Sequence, residues 1–222
     1  MKAFIFDLYN TLIDVKTDEH CEKAWSPVVD FFRTRGIVTD SARLMSVFDG
    51  YWTRFNAKKR GEYQYPECDC VAQFVDIARS VGGKLSRTDA ATALRIMRRA
   101  SIERLRLFDG TLELLDELKR NGAGVYLLSN AQAAFTYDEI AECGLMGKFD
   151  GMLLSSEHGC RKPDPEFFRI LFDKFAIDKN NAVMIGDDKF ADGEGAAKVG
   201  IGYVWAGGGA AAHAREITEL LK

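Results

Sequence analysis

The sequence predicts an α/β protein in which a doubly wound parallel sheet is interrupted by a helical insertion. Residues 3–6 form an apolar run typical of a buried strand, and helices alternate with strands from about residue 107 onward. Between these regions the spacing of apolar residues is helical. Because such alternation favours a parallel sheet covered on both faces, we expect a core of residues 1–14 and 101–222, with residues 15–100 as the insertion.

The insertion is predicted to be helical because its apolar side chains recur at one-turn intervals. Trp25, Val28, Val29 and Phe32 follow the i, i+3, i+4, i+7 spacing of one helix face. Residues 89–108 have the same character, and we predict a further helix there. No convincing strand is expected within the insertion.

The second half of the core is predicted as a regular series of helices and strands. Right-handed crossovers would then place the C-terminal ends of the strands at one edge of the sheet, where such folds bind ligands. The predicted helices are 111–122, 133–144, 165–175, 190–200 and a last one from Ala210; the predicted strands are 124–130, 151–156, 181–188 and 202–206.

The composition and the N-terminal residues indicate which kinds of partner the protein binds and in which compartment we expect it. The chain has 222 residues and a net charge of -3, which gives no sign of nucleic-acid or anionic-membrane binding. The N-terminal apolar run stops at Asp7, too early for a signal peptide or a membrane span. Five cysteines without a framework spacing indicate reduced thiols, and they lack the paired clusters of a zinc site. We expect a cytoplasmic protein with a small-molecule substrate.

Polar residues follow the predicted strands at the shared edge. Each fragment alone is common, because an Asp after a strand is often a helix cap and a Ser-Asn pair is often a turn. The set is Asp7 and Thr11 after the first strand, Ser129 and Asn130 after the second, Lys162 just before the helix that starts near Pro165, and Asp187, Asp188 and Asp192 after the strand at 181–188.

Together, in this order, these residues resemble the haloacid dehalogenase (HAD) superfamily, whose Rossmann-like core carries a helical C1-type cap where this chain has its insertion. The resemblance implies that Asp7 is the catalytic nucleophile and that Lys162 steadies it. It implies the following further roles: phosphate binding by Thr11, Ser129 and Asn130; magnesium binding by Asp7, Asp187 and the backbone carbonyl of Tyr9; and support from Asp188 and Asp192.

The chemistry of the residues agrees with these roles. A carboxylate that attacks phosphorus or carbon forms a covalent intermediate and divides a difficult hydrolysis into two displacements. Asp7, Asp187 and Asp192 around one lysine would leave excess negative charge in a partly desolvated cleft, which is costly without a cation. Oxygen ligands at a phosphate site suit Mg²⁺.

Tyr9 leaves the activity open. Phosphatases of the superfamily commonly carry an acid/base Asp two residues after the nucleophile, whereas its metal-free dehalogenases carry a Tyr, as in "FDLYNTLID" (residues 6–14). Asp187, Asp188 and Asp192 favour the metal-dependent phosphatase, because the dehalogenases of the superfamily have a motif similar to "SSN" at that site in place of the aspartates. We therefore expect a magnesium-dependent phosphatase acting on a small phosphate monoester. The alternatives are a 2-haloacid dehalogenase and a weakly active phosphate-binding or regulatory protein.

Two local expectations complete the prediction. Asn10 replaces the Gly usual before the Thr, and Asn accepts left-handed backbone angles better than most residues. The aromatic and basic stretch 50–68 either faces something or forms a packed corner. The candidates there for selecting the substrate are Trp52, Arg54, Lys58 and Tyr63. Neither the substrate nor the oligomeric state can be read from the sequence.

Overall fold

The computed structural model describes residues 1–57 and 63–222. Within them, no helix combines the length and the apolarity that a membrane span needs. In chain order the strands and α-helices are β1 (Ala3–Phe6), β2 (Ile13–Thr17), α1 (Glu22–Thr34), α2 (Ser41–Ala57), α3 (Cys70–Ser80), α4 (Arg87–Ser101), β3 (Ile102–Leu107), α5 (Thr111–Arg120), β4 (Gly124–Ser129), α6 (Ala133–Glu142), β5 (Gly151–Leu154), α7 (Pro165–Phe175), β6 (Ala182–Gly186), α8 (Gly195–Val199), β7 (Gly202–Trp205) and α9 (Ala214–Glu219).

Five strands form one parallel sheet in the order β5-β4-β1-β6-β7. The first strand of the chain is therefore the middle strand, between two strands that come more than 100 residues later. Its register places Phe6 beside Leu127 of β4 and beside Ile185 of β6. Because all three strands run the same way, the residues that follow them emerge at one edge.

Both faces of the sheet are covered, which confirms the predicted doubly wound α/β fold. Phe4 and Phe6 point to one face and pack with apolar residues of α5, α6 and α9. Ile5 points to the other face, where it meets the core that α7 and α8 complete. This alternation follows from the two-residue period of a strand, and burial on both faces explains why β1 is apolar throughout.

The contacts divide the chain into two compact units. One consists of Met1–Val15, Glu62–Glu67 and Leu105–Lys222, and contains the sheet. The other consists of Lys16–Gly61 and Cys68–Arg104; it contains the helices α1 to α4 and the adjoining ends of β2 and β3, and is here called the helical unit. This division differs from a continuous insertion at 15–100, because a short segment around residue 65 groups with the sheet. The assignment of the helical unit as a cap stays a prediction.

In the helical unit, the predicted amphipathic face of α1 is its buried face. Trp25 is fully buried, and its ring stacks on Phe74 of α3 with the centroids 6.0 Å apart. Phe48 of α2 meets the same indole edge-on at 5.2 Å. The indole N–H donates to the backbone carbonyl of Glu19 at 2.7 Å, so the polar edge of this large core side chain is satisfied.

The prediction of one helix over residues 89–108 is wrong at its C-terminal end. The helix α4 stops at Ser101, and β3 follows immediately and pairs with β2 in a separate two-stranded sheet. Leu105 and Leu107 of β3 pack against the apolar core together with Val15 of β2. Lys16 also bonds Glu103 at 2.6 Å, and Arg106 bonds Asp14 at 3.1 Å. Strand pairing and packing thus override the local helical character.

Candidate active site

Asp7 leaves the middle strand at the edge where the site forms. Its backbone N–H donates to the carbonyl of Ile185 at 2.9 Å, which continues the sheet pairing by one residue. The chain then turns sharply, and Asn10 adopts a left-handed conformation with φ of 59°. The expectation for Asn10 is therefore confirmed. The turn brings Thr11, which is fully buried, back towards the end of β6.

Lys162 lies between two carboxylates. Its Nζ is 2.7 Å from Oδ1 of Asp7 and 2.7 Å from Oδ1 of Asp192. The side chains of Lys162 and Asp192 are each 1% exposed, whereas that of Asp7 is 14% exposed. Burial alone would lower the pKa of Lys162, but the two carboxylates outweigh it and raise that pKa. The ammonium therefore stays charged and fixes one oxygen of Asp7.

Asn130 holds the backbone of Lys162. Its side-chain amide donates to the carbonyl of Lys162 at 2.9 Å, and its Oδ1 accepts the Lys162 backbone N–H at 2.8 Å. Ser129, the last residue of β4, is buried beside it. The structure thus shows Asn130 orienting the lysine, a contact that adds to the phosphate-binding role the resemblance implies.

Asp187 approaches Asp7 from the end of β6. Its Oδ1 accepts the Thr11 hydroxyl at 3.1 Å, and its backbone N–H donates to Thr11 Oγ1 at 3.1 Å. Burial and then the neighbouring Asp7 raise the pKa of Asp187. Burial also raises the pKa of Asp192, to about 7, with Asp7 adding to the effect and Lys162 opposing it. Both shifts therefore arise mainly from burial, and the negative charge of Asp7 adds to each of them.

Three carboxylates of this edge could share one cation. Oxygens of Asp7, Asp187 and Asp192 all lie within 4.8 Å of one another. With Lys162 as the cation that bonds two of them, the cluster carries excess negative charge, and this is the arrangement that a divalent ion offsets. Hard oxygen ligands of this kind suit Mg²⁺ or Ca²⁺ better than a softer metal. The residues therefore fit the implied ion.

The loop after β6 is shaped by a glycine that the sequence prediction did not single out. A Cβ on Gly186 would lie 2.0 Å from Oδ2 of Asp192, so any larger residue would displace that carboxylate. Asp188 does not join the carboxylate cluster; its Oδ1 accepts the N–H groups of Phe190 and Ala191, and its own N–H donates to Asp192. Its role in the structure is to fold the loop that carries Asp192.

Two side chains of β7 fix the same loop from the other side. The hydroxyl of Tyr203 donates to the carbonyl of Gly186, and the indole N–H of Trp205 donates to the carbonyl of Asp187, both at 3.1 Å. The sequence prediction assigned neither residue a role. Their i, i+2 spacing at the end of a strand is the only local signal, and it is equally typical of ordinary strand residues.

Tyr9 directs its hydroxyl to α6. The oxygen lies 2.5 Å from Oε2 of Glu139, to which it donates, and 3.0 Å from Oγ1 of Thr136. Glu139 is only 4% exposed, so this tyrosine satisfies a buried carboxylate. The ring also packs against the apolar core on that face of the sheet. The structure thus shows Tyr9 in a structural function, bonded to a buried carboxylate and packed on the core.

The candidates for selecting the substrate are less well placed. Lys58 lies outside the described residues, as do the side chains of Trp52 and Arg54. Tyr63 is partly buried and packs against the core on the α7 face of the sheet. Its predicted contact with substrate stays a prediction.

Known proteins with related sequences include phosphatases. A phosphoserine phosphatase of Thermus thermophilus is 34% identical over 91 residues, which cover 41% of this chain and 36% of that enzyme. That match therefore spans little more than a third of the relative's length. An N-acylneuraminate-9-phosphatase of Mus musculus is 23% identical over 212 residues, covering 92% of this chain and 82% of that protein.

The fold is shared with solved structures of both activity classes. A 2-haloacid dehalogenase of Pseudomonas syringae pv. Tomato DC3000 superposes with a TM-score of 0.63 at 18% identity, over 92% of this chain and 86% of that chain. A family model described as haloacid dehalogenase-like hydrolase matches residues 1–200. This match covers four of the five strands of the sheet, the helical unit and every residue of the cluster around Asp7, and it agrees with the resemblance that the motifs carry. The chain belongs to the haloacid dehalogenase-like hydrolases.

Proposed function

We propose that this hydrolase is a magnesium-dependent phosphatase that acts on small phosphate monoesters through an aspartyl phosphate at Asp7. The observation that carries the proposal is the cluster of Asp7, Asp187 and Asp192 around Lys162. A haloacid substrate brings one carboxylate and loses a halide, so it gives no reason to keep three aspartates together. The phosphatases among the related sequences support the same choice.

The first step is attack on phosphorus by Asp7. Lys162 bonds Oδ1, and Oδ2 has no hydrogen-bond partner among the described residues. An electron pair of Oδ2 forms the new O–P bond while the ester O–P bond breaks and the alcohol oxygen leaves with that bonding pair. The buried Ser129 lies at the same edge and would bind a phosphoryl oxygen, and the hydroxyl of Thr11 would do so by exchanging its bond to Asp187 for one to the phosphoryl group. A bound Mg²⁺ would supply charge neutralisation for the phosphoryl group.

The second step is hydrolysis of the aspartyl phosphate. Water attacks phosphorus, its proton is released, and the bond between Oδ2 and phosphorus breaks to regenerate Asp7. A general base typically accelerates such a step by about 10²–10⁴-fold. Tyr9 occupies the position from which a carboxylate acts in related phosphatases, and its hydroxyl already donates to Glu139. We therefore place the slow part of turnover in this second step.

Magnesium should raise thermal stability, because the ion binds only the folded cluster. At a concentration about 100 times its dissociation constant it would add roughly 2–3 kcal/mol, or about 4–12 °C for a chain of this size. Asp187→Asn should remove most of the shift while keeping the bond from Thr11. The measurement is a melting curve with magnesium and with EDTA. A parent protein whose midpoint ignores millimolar magnesium would contradict the metal site.

Tyr9→Asp should increase steady-state turnover of an aryl phosphate, and the parent should show a burst of aryl alcohol. Stopped-flow release of 4-nitrophenol by both proteins tests this expectation. Tyr9→Phe is the matched control: it keeps the ring, removes the bond to Glu139, and should lower stability by about 1–3 kcal/mol without increasing the rate. The prediction is wrong if the parent shows no burst of aryl alcohol and a correctly folded Tyr9→Asp variant has no higher steady-state rate. The absence of a carboxylate at position 9 would then not limit turnover.

Tyr9 itself favours a second candidate, the metal-free 2-haloacid dehalogenase. In that reaction Asp7 would attack the carbon that bears the halogen, halide would leave with the bonding pair, and water would hydrolyse the resulting ester. Release of halide from 2-chloropropionate in the presence of EDTA distinguishes the two reactions. Phosphatase activity that EDTA abolishes, without any halide release, supports the first proposal; the reverse pattern supports the second.

A further inference from the structure

Between α2 and α3 lies a segment of five residues that belongs to the unit containing the sheet. Residues 63–67, here called the strap, pair with the loop that precedes Lys162. The backbone N–H of Glu67 donates to the carbonyl of Gly159 at 2.9 Å, and the carbonyl of Tyr65 accepts the N–H of Arg161 at 3.0 Å. An antiparallel bridge joins Pro66 and Cys160 between them. The stretch 50–68 thus includes a segment that packs on the core.

The strap also reaches the far side of the same loop. The backbone N–H of Tyr65 donates to the carboxylate of Asp164 at 3.0 Å. Its ring meets that of Phe190 edge-on at 5.8 Å, and Lys198 lies over it at 4.6 Å. The strap is therefore bonded on both sides of Lys162 and touches the loop that carries Asp192.

Glu67 extends this contact to the loop that follows β4. Its Oε2 accepts the hydroxyl of Ser155 at 2.5 Å, and its Oε1 accepts the side-chain amide of Gln132 at 3.3 Å. Ser155 is fully buried, and its Oγ accepts the backbone N–H of Ala131 at 2.9 Å. Two hydrogen bonds therefore connect the Glu67 carboxylate to Ala131. Ala131 directly follows Ser129, the proposed phosphate ligand, and Asn130, which bonds the backbone of Lys162.

The carboxylate determines which way the Ser155 hydroxyl points. A hydroxyl has one proton, and Ser155 has two acceptors within reach: Glu67 at 2.5 Å and the carbonyl of Ala131 at 3.3 Å. Bonded to Glu67, the oxygen presents a lone pair to the N–H of Ala131. Without Glu67 the proton would turn to the Ala131 carbonyl, and the loop after β4 would lose its anchor to the strap.

We propose that Glu67 is a positioning residue of the active site. The inference rests on the proposed phosphatase function. The carboxylate of Glu67 acts through Ser155 and Ala131 to set the positions of Ser129 and Asn130. Asn130 in turn sets the position of Lys162. Glu67 touches neither substrate nor reacting atoms. Its effect appears in kcat, because misplacement of the lysine by a fraction of an ångström weakens the transition state more than the bound substrate.

Four single variants and one double variant test the proposal. Glu67→Ala should lower kcat for 4-nitrophenyl phosphate about 10-fold or more with little change in KM, at a temperature well below unfolding. Glu67→Gln, whose amide oxygen can still accept one bond, should restore much of the rate. Gln64→Ala is the matched control, because Gln64 is an exposed neighbour in the strap. Ser155→Ala should lower kcat as much as Glu67→Ala does. The double variant should lower kcat little further, because both residues act through the same hydrogen bond.

A readout independent of activity separates this inference from the proposed function. In ¹H–¹⁵N spectra of the protein, Glu67→Ala should shift the backbone amide signals of Asn130, Ala131 and Lys162, whereas Gln64→Ala should leave them unchanged. Unshifted signals in folded Glu67→Ala would overturn the inference whatever the enzyme hydrolyses. Shifted signals with unchanged kcat would overturn it too, since the contact would then be structural only. A parent without phosphatase activity but with the expected shifts would refute the proposed reaction and leave the positioning intact.

Discussion

Replacement of Asp7 by Asn is expected to abolish turnover, by a factor on the order of 10³ or more, in a protein that still folds. The variant keeps the shape of the side chain and loses the charge that, in the proposed mechanism, attacks phosphorus. Its effect on stability should be small because two changes oppose each other. The variant loses the ion pair with Lys162, but it also removes a charge that raises the pKa of Asp187 and Asp192.

The measurement pairs initial rates with melting curves for Asp7→Asn and for Asp138→Asn, a control on the exposed surface of α6. Acid-quenched parent protein should also carry a phosphoryl group on the peptide that contains Asp7. Comparable turnover by Asp7→Asn and the parent would refute a covalent mechanism at this residue. Loss of activity in the control would show that the assay responds to surface charge in general.

Replacement of Lys162 by Met should destabilise the protein by about 3–5 kcal/mol, because two carboxylates would remain at the buried site without their cation. For a chain of this length the midpoint should fall by on the order of 10 °C. Activity should also be lost, since nothing would then hold Oδ1 of Asp7. Magnesium should restore more stability to this variant than to the parent, because the uncompensated charge that attracts the ion is larger.

Thermal melting with and without magnesium checks this prediction, with Lys179→Met as an exposed control of the same chemistry. The control should melt within about 1–2 °C of the parent, since surface substitutions have small effects. A Lys162→Met protein as stable as the parent in EDTA would mean that the carboxylates are neutral in the folded state, and that the charge argument for a metal is wrong.

The sequence predicts the fold from local signals, and it predicts the central residues from the resemblance that their order along the chain carries. A strand followed by a polar residue is a short pattern, and parallel strands bring such residues to one edge without further information. The structure accordingly brings Asp7, Lys162, Asp187 and Asp192 together. Their catalytic and metal-binding roles stay predictions until the variants are measured.

The supporting residues are not predictable in this way because their partners are distant in the chain. Glu139 meets a tyrosine 130 residues earlier, and Glu67 meets a serine 88 residues later. Most glutamates on helices and in loops are exposed, so the sequence alone does not indicate that a particular one is buried beside a partner from a distant part of the chain. The strand β3 is a similar case, since its pairing with β2 and the packing of Leu105 and Leu107 on the core override a local helical pattern.

The central position of β1 has a consequence for how the protein acquires its structure. Phe4, Ile5 and Phe6 precede both of their flanking strands, which come from residues 124–129 and 182–186. During synthesis this apolar segment has no sheet partner until residues 124–129 have emerged, and such a delay exposes it to aggregation. The proposed nucleophile therefore follows the strand whose sheet neighbours are both made after it, and a folding intermediate without β6 would hold Asp7 without Asp187 and Asp192 beside it.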